Sequence, residues 1–344
     1  MKKTEKIGFG IIGAGMISSF HARSIRELEG AELVAIAGRS KENAQKLAEE
    51  FQVPYHLDYH ELLQRNDIHV VNVCTPSGLH MEPVVAAAKA GKHVIVEKPL
   101  EITLERAERM IEACRSSGVK LACIFQNRFY SETIALREAA ASGRLGRLIL
   151  GDAYIKWYRD QPYYDSVDWR GTLEGDGGAA LINQSIHTID LLQWIMGPVD
   201  SVFGRTGTFT HRIEGEDLGV AVLTFASGAM GVIEGSTATY PGFPERLEIH
   251  GEKGSIILEG GNIKTWVIEG EEPVAAGEDQ EKKGVGASSP MAISYKGHKT
   301  QIGDMIDAIR SDRDPMVDGH EAKKSLQIVR AIYQSSASGK TVKL

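Results

Sequence analysis

Residues 7–18 of the chain read IGFGIIGAGMIS, an apolar run that leads into a glycine-rich turn and then into a helical pattern. The run Ile7 to Ile12 predicts a buried strand, and the spacing of apolar residues from Met16 onward predicts a helix. Between these elements, Gly13 allows a tight turn, and Gly15 lets backbone N–H groups at the helix N-terminus approach a pyrophosphate. With the fingerprint beginning at Gly13, a full strand precedes the turn and a helix follows it. The literal G-x-G-x-x-G pattern at Gly8, Gly10 and Gly13 would have no full strand before it.

Ser18 stands where that fingerprint has its third glycine. The position packs the helix against the strand, and serine is small enough to fit there. We therefore predict that Gly13, Gly15, Met16 and Ile17 bind a dinucleotide. The motif alone leaves open a glycine-rich turn that binds no ligand.

Apolar strands and helices alternate over the first 125 residues. The predicted strands cover 7–12, 33–37, 68–74, 93–96 and 120–125, and predicted helices separate them. Continuous apolar strands joined by helices form parallel sheets that are covered on both faces. Residues 1–125 are therefore predicted to fold as a doubly wound α/β domain of the Rossmann type.

Hairpin signals replace this alternation after residue 126. The predicted strands there cover 148–158, 219–225, 229–235, 246–250, 255–258 and 264–268, and helices near 300–311 and 319–335 end the chain. Residues 126–344 are therefore predicted to form an α+β domain on an open mixed or antiparallel sheet. The Glu-, Gly- and Ser-rich stretch Gly270 to Pro290 is predicted to be an exposed loop.

Composition excludes several classes of protein. The length of 344 residues favours two domains over a single core. Lys and Arg number 39 and Asp and Glu 46, and the resulting net charge of −7 argues against nucleic-acid binding. No apolar stretch approaches the ~20 residues of a membrane-spanning helix. Cys74, Cys114 and Cys123 are widely spaced and odd in number, so we predict no disulfides, no metal site and a cytoplasmic protein.

The end of the second strand bears on the choice of nucleotide. The sequence there is Gly38-Arg39-Ser40, without the carboxylate that would bind a free ribose 2′-hydroxyl. Arg39 supplies a cation and Ser40 a donor for a 2′-phosphate, so these residues predict NADP in preference to NAD. An Arg39 side chain that only stacks on the adenine would suit either cofactor.

Two further segments carry a more specific pattern. Glu97-Lys98-Pro99 follows the strand 93–96 at its carboxyl end, where doubly wound sheets bind ligands. The second segment, residues 177–192, reads GGAALINQSIHTIDLL. Together with TPSGLH at 75–80 and WRG at 169–171, these segments resemble the family of glucose-fructose oxidoreductase, inositol 2-dehydrogenase and the rhizopine-catabolism protein MocA. The resemblance extends over nearly the whole chain.

This resemblance implies a Rossmann domain followed by an α+β domain whose open sheet often forms oligomers, and hence a homodimer or homotetramer. It also implies that Lys98 and a histidine of the second domain, His187, flank the nicotinamide, and that the bond between Lys98 and Pro99 is cis. The remaining cofactor contacts are expected at Thr75, Pro76, Leu79, His80, Glu97 and Gln126.

The chemistry of alcohol oxidation is consistent with this pair. Removing a hydroxyl proton while a hydride leaves carbon requires a base near neutrality and a cation near the developing alkoxide. His187 meets the first requirement and Lys98 the second. Taken singly, Lys98 would be read as a surface lysine and His187 as a buried helix histidine. The joint pattern predicts an NAD(P)-dependent dehydrogenase that acts on a ring hydroxyl of a sugar, sugar acid or nucleotide sugar.

Asn183 departs from part of the family. The inositol dehydrogenase branch has an aspartate four residues before the histidine, whereas this chain has an amide there. One helical turn places Asn183 on the same face as His187, so it is a candidate catalytic residue that can hydrogen-bond but cannot carry charge. The asparagine resembles the branch that oxidises the 3-hydroxyl of UDP-N-acetylglucosamine-derived uronic acids, and it argues against an inositol dehydrogenase.

Candidate substrate contacts precede the histidine segment. Aromatic faces and polar forks suit a sugar ring with several hydroxyls. The predicted substrate residues are Asn127, Arg128, Arg159, Tyr164, Asp165, Trp169 and Arg170. The aromatic residues among them could instead pack at a hinge, and Asp190 is expected to cap or pack its helix.

Two other functions stay open at this point. A glycosidase of the same family would hold NAD tightly, oxidise its substrate transiently and eliminate the aglycone. A cofactor-sensing regulator would need no catalytic pair, and the presence of both Lys98 and His187 argues against it.

Overall fold

The computed structural model describes residues 6–272 and 294–344, so that most of the predicted loop Gly270 to Pro290 lies outside the described residues. The chain divides into two compact units. The first contains the chain up to Gln126 together with Tyr295–Lys323, and the second contains Asn127–Ser294 and Lys324–Leu344.

Parallel strands form the centre of the first unit. They are β1 (Ile7–Ile12), β2 (Ala31–Ala37), β3 (Tyr55–His56), β4 (Val70–Val73), β5 (His93–Val96) and β6 (Leu121–Cys123). The intervening helices are α1 (Met16–Arg26), α2 (Lys41–Phe51), α3 (Tyr59–Leu63), α4 (Met81–Lys89) and α5 (Leu104–Ser116). The sheet order β3-β2-β1-β4-β5-β6 is that of a dinucleotide-binding fold, whose strand order reverses between β1 and β4. The predicted Rossmann fold is confirmed.

The second unit is built on a mixed sheet. Its helices are α6 (Ser131–Ala141), α7 (Gln161–Asp165) and α8 (Ile186–Met196). Its strands are β7 (Leu148–Lys156), β8 (Val199–Gly207), β9 (Leu218–Phe225), β10 (Met230–Ser236), β11 (Arg246–Gly251), β12 (Gly254–Glu259), β13 (Asn262–Ile268) and β14 (Val342–Lys343). The order is β13-β12-β11-β7-β10-β9-β8-β14, with β7 and β10 parallel and the other neighbouring pairs antiparallel. The predicted α+β class is confirmed.

The two faces of this sheet differ. Along β9, Ala221 and Leu223 are buried, and α8 packs against β7 and β11. Val220 and Val222, which alternate with these residues, are exposed on the opposite face, as are Phe203 and Met230 on neighbouring strands. We call this second surface the open face.

Two helices end the chain, α9 (Lys296–Ser311) and α10 (Gly319–Ser338). The prediction placed α9 in the second domain, but Ile302, Met305 and Ile306 pack in the core of the first unit. Their apolar stripe is covered only by that core, and this is why the chain returns there after residue 294. Within the described ranges, no helix combines the length and apolar character needed to cross a bilayer.

Candidate active site

The glycine turn after β1 is shaped for a phosphate ligand. Gly13 has a φ of +116°, and a Cβ atom there would lie 2.4 Å from the carbonyl oxygen of Cys74. A Cβ on Gly15 would meet no atom within 4 Å, and no side chain caps the N-terminus of α1. The first N–H groups of α1, next to exposed Met16 and half-buried Ile17, therefore face open space, which fits the pyrophosphate of a dinucleotide.

The end of β2 lies close to this turn. A Cβ on Gly38 would lie 2.9 Å from the Cβ of Ala14, so only glycine allows the approach. Arg39 and Ser40 are exposed, and the Oγ of Ser40 accepts a hydrogen bond of 3.3 Å from the backbone N–H of Asn43. The Arg39 guanidinium is the cation that this segment offers to a ribose or its phosphate.

The segment after β4 differs from its prediction at His80. Thr75 donates from Oγ1 to the carbonyl of Leu79 at 2.9 Å. The buried His80 ring lies 3.0 Å from the carbonyl oxygen of Thr75 at Nε2 and 3.0 Å from that of Pro99 at Nδ1. Burial lowers the pKa of His80. Because both ring nitrogens contact backbone oxygens, the His80 side chain joins two turns, and its predicted contact with the cofactor stays a prediction. Pro76 is half-buried and Leu79 is exposed, and their cofactor contacts stay predictions.

Glu97 belongs to a buried cluster with His21 and His298, which we call the Glu97 cluster. Glu97 Oε1 lies 2.8 Å from His21 Nε2 and 3.2 Å from His298 Nε2, and Oε2 accepts from the backbone N–H of Lys98 at 3.2 Å. Although burial opposes ionisation, the hydrogen bonds from His21 and His298 hold the pKa of Glu97 well below its usual range. Both carboxylate oxygens of Glu97 therefore have partners within the unit, and its predicted contact with the cofactor stays a prediction. The bond between Lys98 and Pro99 is cis, as the resemblance implied.

The two histidines of this cluster were not predicted. His21 lies on α1, and its Nδ1 is 2.7 Å from Asn72 Nδ2, so Nε2 carries the proton donated to Glu97. Burial lowers the pKa of His21. His298 comes from α9, 201 positions after Glu97, and no local motif marks it.

Gln126 follows β6 and is only 5% exposed. Its Oε1 is buried and finds no hydrogen-bond partner among the described residues. A buried acceptor without a donor is costly unless a ligand supplies one. An amide N–H of a nicotinamide would supply it, so Gln126 fits its predicted role.

Asn183 and His187 lie on consecutive helical segments of the second unit. A π-helical turn, Ala180–Ser185, leads directly into α8, and both side chains are half-buried. The Asn183 amide donates to Oδ1 of Asp176 at 2.5 Å, and its own Oδ1 accepts from Gln184 Nε2 at 2.9 Å. Asp176 is fully buried and was not predicted, although its place in a glycine-rich turn before the helix was a possible signal. The carboxylate that the inositol dehydrogenase branch has at position 183 is therefore replaced here by Asp176, which is hydrogen-bonded to Asn183.

Gln184 links this pair to the segment around α7. Its Nε2 donates to Tyr163 Oη and its Oε1 accepts from the guanidinium of Arg159, both at 2.9 Å. Arg159 is buried, stacks 5.0 Å from the ring of Trp157, and has its pKa lowered by burial. Arg159 therefore orients Gln184 and, through it, Asn183, and its predicted substrate contact stays a prediction.

Three predicted substrate residues line one cavity of about 550 Å³ in the second unit. Tyr164, Asp165 and Arg170 share it with Arg212 and Glu214. The Tyr164 hydroxyl is paired with Thr237 Oγ1 at 2.7 Å, and the Arg170 guanidinium lies 4.3 Å from the Tyr163 ring centroid. The lining does not include Asn183 or His187. Trp169 and Asn127 are half-buried.

Arg128, a predicted substrate residue, contacts Asp190 in this structure. It is fully buried, and its guanidinium makes a bidentate ion pair with Asp190, with both bonds at 2.7 Å. It also lies 5.0 Å from the ring centroid of Trp194 on the same helix. A buried arginine requires such pairing, so Arg128 anchors α8. The packing role expected for Asp190 agrees with this contact.

A second unpredicted carboxyl lies at the start of the π-helical turn. Buried Glu216 accepts at Oε1 from the backbone N–H of Leu181 at 2.7 Å and from the Tyr333 hydroxyl at 2.9 Å. Its Oε2 accepts from the N–H of Ala179 at 3.2 Å. Burial raises the pKa of Glu216 to about 7. A group that titrates near neutrality therefore caps the turn that carries Asn183.

Comparison with known proteins gives a consistent result over the whole chain. The family model described as an oxidoreductase family with an NAD-binding Rossmann fold matches residues 7–125, and the GFO/IDH/MocA C-terminal domain matches residues 133–257. The crystal structure of the WlbA dehydrogenase from Bordetella pertussis in complex with NADH and UDP-GlcNAcA is 35% identical, with a TM-score of 0.88 over 99% of both chains. The WlbA structure from Chromobactrium violaceum with the same ligands is 31% identical, with a TM-score of 0.88 over 100% of this chain and 97% of that one. A myo-inositol 2-dehydrogenase from Thermotoga maritima is 29% identical over 97% of this chain and 98% of its own.

Proposed function

Because the chain belongs to the GFO/IDH/MocA family of NAD-binding oxidoreductases, we propose that it oxidises a secondary ring hydroxyl of a UDP-linked N-acetyl sugar acid to a ketone. The observation that carries this choice is Asn183, whose amide is held between Asp176 and Gln184. An amide at this position resembles the branch that oxidises such uronic acids. The two WlbA structures, which contain UDP-GlcNAcA, support the same substrate class.

Each catalytic residue has one role in this proposal. The bound nicotinamide would supply the acceptor for the hydride that leaves the substrate carbon. His187 accepts the proton of the reacting hydroxyl, since imidazole exchanges protons near neutrality. Lys98 donates a hydrogen bond to the same oxygen and stabilises its developing negative charge. The backbone of Lys98 is fixed by Glu97, and Asn183 is fixed by Asp176.

The fit to a dinucleotide rests on the first unit. Gly13 allows the tight turn after β1, and Gly15 leaves the N-terminus of α1 open to a pyrophosphate. Gln126 adds a buried acceptor for the nicotinamide amide. The NADH in both WlbA complexes supports NAD, so we propose NAD as the cofactor. The preference for NADP stays a prediction that rests on Arg39, which is exposed and leaves room for a 2′-phosphate.

The test is a substrate panel read at the absorbance of reduced nicotinamide. UDP-GlcNAcA, UDP-GlcNAc and myo-inositol are each supplied with NAD and with NADP. We expect net reduction of the cofactor with the nucleotide-sugar acid and little with myo-inositol. Faster turnover of myo-inositol would contradict the substrate assignment. Product formation without net reduction would favour the glycosidase, and cofactor binding without turnover of any substrate would favour the regulator.

Location and assembly are also proposed. Cys74, Cys114 and Cys123 are free and buried, which suits a cytoplasmic protein. The family resemblance implies that the open face binds a second copy of the chain. Phe203 and Val222 are exposed on this face and would be buried in such an interface. Light scattering of the purified protein should give a dimer or tetramer mass, and Val222→Asp should lower it. A monomeric wild-type chain would contradict this assignment.

A further inference from the structure

Two carboxylates face each other across strands on the open face. In the antiparallel pair of β7 and β11, Asp152 is directly opposite Glu248. Like charges in this arrangement destabilise a sheet. Asp152 is only 5% exposed, and its Oδ1 has no hydrogen-bond partner within the described parts of the chain. The pair therefore calls for a positive charge between its members.

A histidine completes the group. His250 is two residues beyond Glu248 on β11, so its side chain projects from the same face. Its Nε2 lies 3.3 Å from Glu248 Oε2, and its Nδ1 lies 2.8 Å from Ser255 Oγ on β12. One ligand atom from each of Asp152, Glu248 and His250 falls within 4.8 Å of the others.

We propose that Asp152, Glu248 and His250 bind a divalent transition-metal ion, with Zn²⁺ as the best match. Two carboxylate oxygens and one imidazole nitrogen are ligands that Zn²⁺ accepts at about 2.0–2.2 Å, which places ligand atoms about 3 Å apart. A small closure of the observed group reaches that geometry.

The surroundings support an ion at this position. When Ser255 Oγ accepts the Nδ1–H of His250, Nε2 keeps a lone pair for the ion, the arrangement that is usual for metal-binding histidines. Arg246 lies 2.8 Å from Glu248 Oε1, which leaves Oε2 for the ion. The charge of the ion balances the two opposed carboxylates. No local sequence pattern marks this site, because Asp152 and Glu248 are far apart in the chain and belong to no metal motif.

The experiment measures binding of the metal alone to the full chain. Chelator-treated protein is dialysed against Zn²⁺, and the bound ion is counted by elemental analysis; Co²⁺ then serves as a spectroscopic probe. We expect one Zn²⁺ per chain, a visible Co²⁺ spectrum, and an affinity lowered at least about tenfold by His250→Gln and by Asp152→Asn. The matched control is His56→Gln, which removes a histidine in an exposed pair with Glu61 and should leave binding unchanged.

Two results would contradict the proposed Zn²⁺ site. Failure of the wild-type chain to bind Zn²⁺ stoichiometrically would overturn the proposal, as would unchanged binding in His250→Gln. His250 is half-buried, so its variant should fold even if Asp152→Asn does not. Circular dichroism and light scattering on every sample distinguish loss of the ion from loss of fold or assembly. The dehydrogenase assay is independent of this result.

Discussion

The side-chain amide of Asn183 donates a hydrogen bond to Oδ1 of the buried carboxylate Asp176 at 2.5 Å. Asp176 also accepts at Oδ2 from the backbone N–H of Gly171, so one carboxylate joins the glycine-rich turn to the helical segment before His187. An aspartate at position 183 would remove this donor and place a second carboxylate beside Asp176. The chain therefore keeps its acid at 176 and its amide at 183.

A charge exchange between these positions tests that relationship. Asn183→Asp should lower the free energy of unfolding at pH 8 by about 2 kcal/mol, because two buried carboxylates would then share one contact. The double variant Asp176→Asn, Asn183→Asp should recover most of that loss, since it restores one amide and one acid. Urea titration of the four proteins measures the coupling. Additive effects of the two changes would show that the residues act separately.

The proposed catalytic pair predicts a loss of turnover without a loss of cofactor binding. Lys98→Ala and His187→Ala should each lower kcat by about 10³-fold, because one removes the cation and the other the base. The affinity for NADH, measured by fluorescence titration, should change little. Lys89→Ala and His320→Ala are matched controls at exposed positions and should retain activity. A variant of Lys98 or His187 with more than a tenth of the wild-type turnover would remove that residue from the mechanism.

Much of the secondary structure could be predicted because its signals are local. The bounds of β5 agree with the sequence prediction, and Ser40 caps α2 as a residue of that type does. Helix α6 was not predicted, since its apolar residues do not form a single stripe. The place of α9 could not be predicted either. Gln301 on that helix donates to the carbonyl of Cys123 at 2.7 Å, across 178 positions of sequence.

In the candidate site, too, local signals could be predicted from the sequence and contacts between distant residues could not. The requirement for glycine at position 13 is conformational, so one residue and its neighbours reveal it. Arg128 and Glu97 were predicted as ligand contacts, but in the structure each binds a partner far along the chain. Residue type shows that a buried charge needs a partner, and only the fold shows which partner it finds.

The Glu97 cluster predicts a component of stability that is lost in acid. The pKa of Glu97 is lower in the folded chain than its ordinary 4.5, so its contribution is present above pH 4.5 and disappears as the pH falls further. Glu97→Gln should lower stability at pH 7 by about 3 kcal/mol, because the buried histidines lose their charged partner. Its stability should also depend less on pH in the acid range. Urea titrations at several pH values measure both effects.

Glu112→Gln is the control for this experiment. Glu112 is exposed and paired with Arg115 on the same helix, so its loss should change the free energy of unfolding little. Equal effects of Glu97→Gln and Glu112→Gln on the free energy of unfolding would mean that burial of the Glu97 cluster contributes nothing to stability.

Arg39 predicts how the enzyme responds to the 2′-phosphate. Arg39→Ala should lower kcat/KM for NADP by about tenfold, since a charge-assisted hydrogen bond is lost, and should change kcat/KM for NAD much less. Steady-state kinetics with both cofactors measure the ratio. Arg23→Ala, which removes an exposed arginine on α1, is the control. An equal fall in kcat/KM with NAD and NADP would indicate that Arg39 does not contact the 2′-phosphate, the group in which the two cofactors differ.

Glu216 predicts that stability falls as the pH rises toward neutrality. Its pKa is about 7 in the folded chain against an ordinary 4.5, so the folded state holds a proton that the unfolded state releases. The contribution of this group is therefore fully present below pH 4.5 and is lost as the pH rises through about 7, a difference on the order of 3 kcal/mol. Glu216→Gln keeps an acceptor for the N–H of Leu181 but cannot ionise, so its stability should change less between pH 5 and pH 8. Urea titration of both proteins across this range measures the difference, with Glu112→Gln again as the exposed control. Parallel curves for wild type and Glu216→Gln would mean that Glu216 is ionised in the folded chain throughout the range.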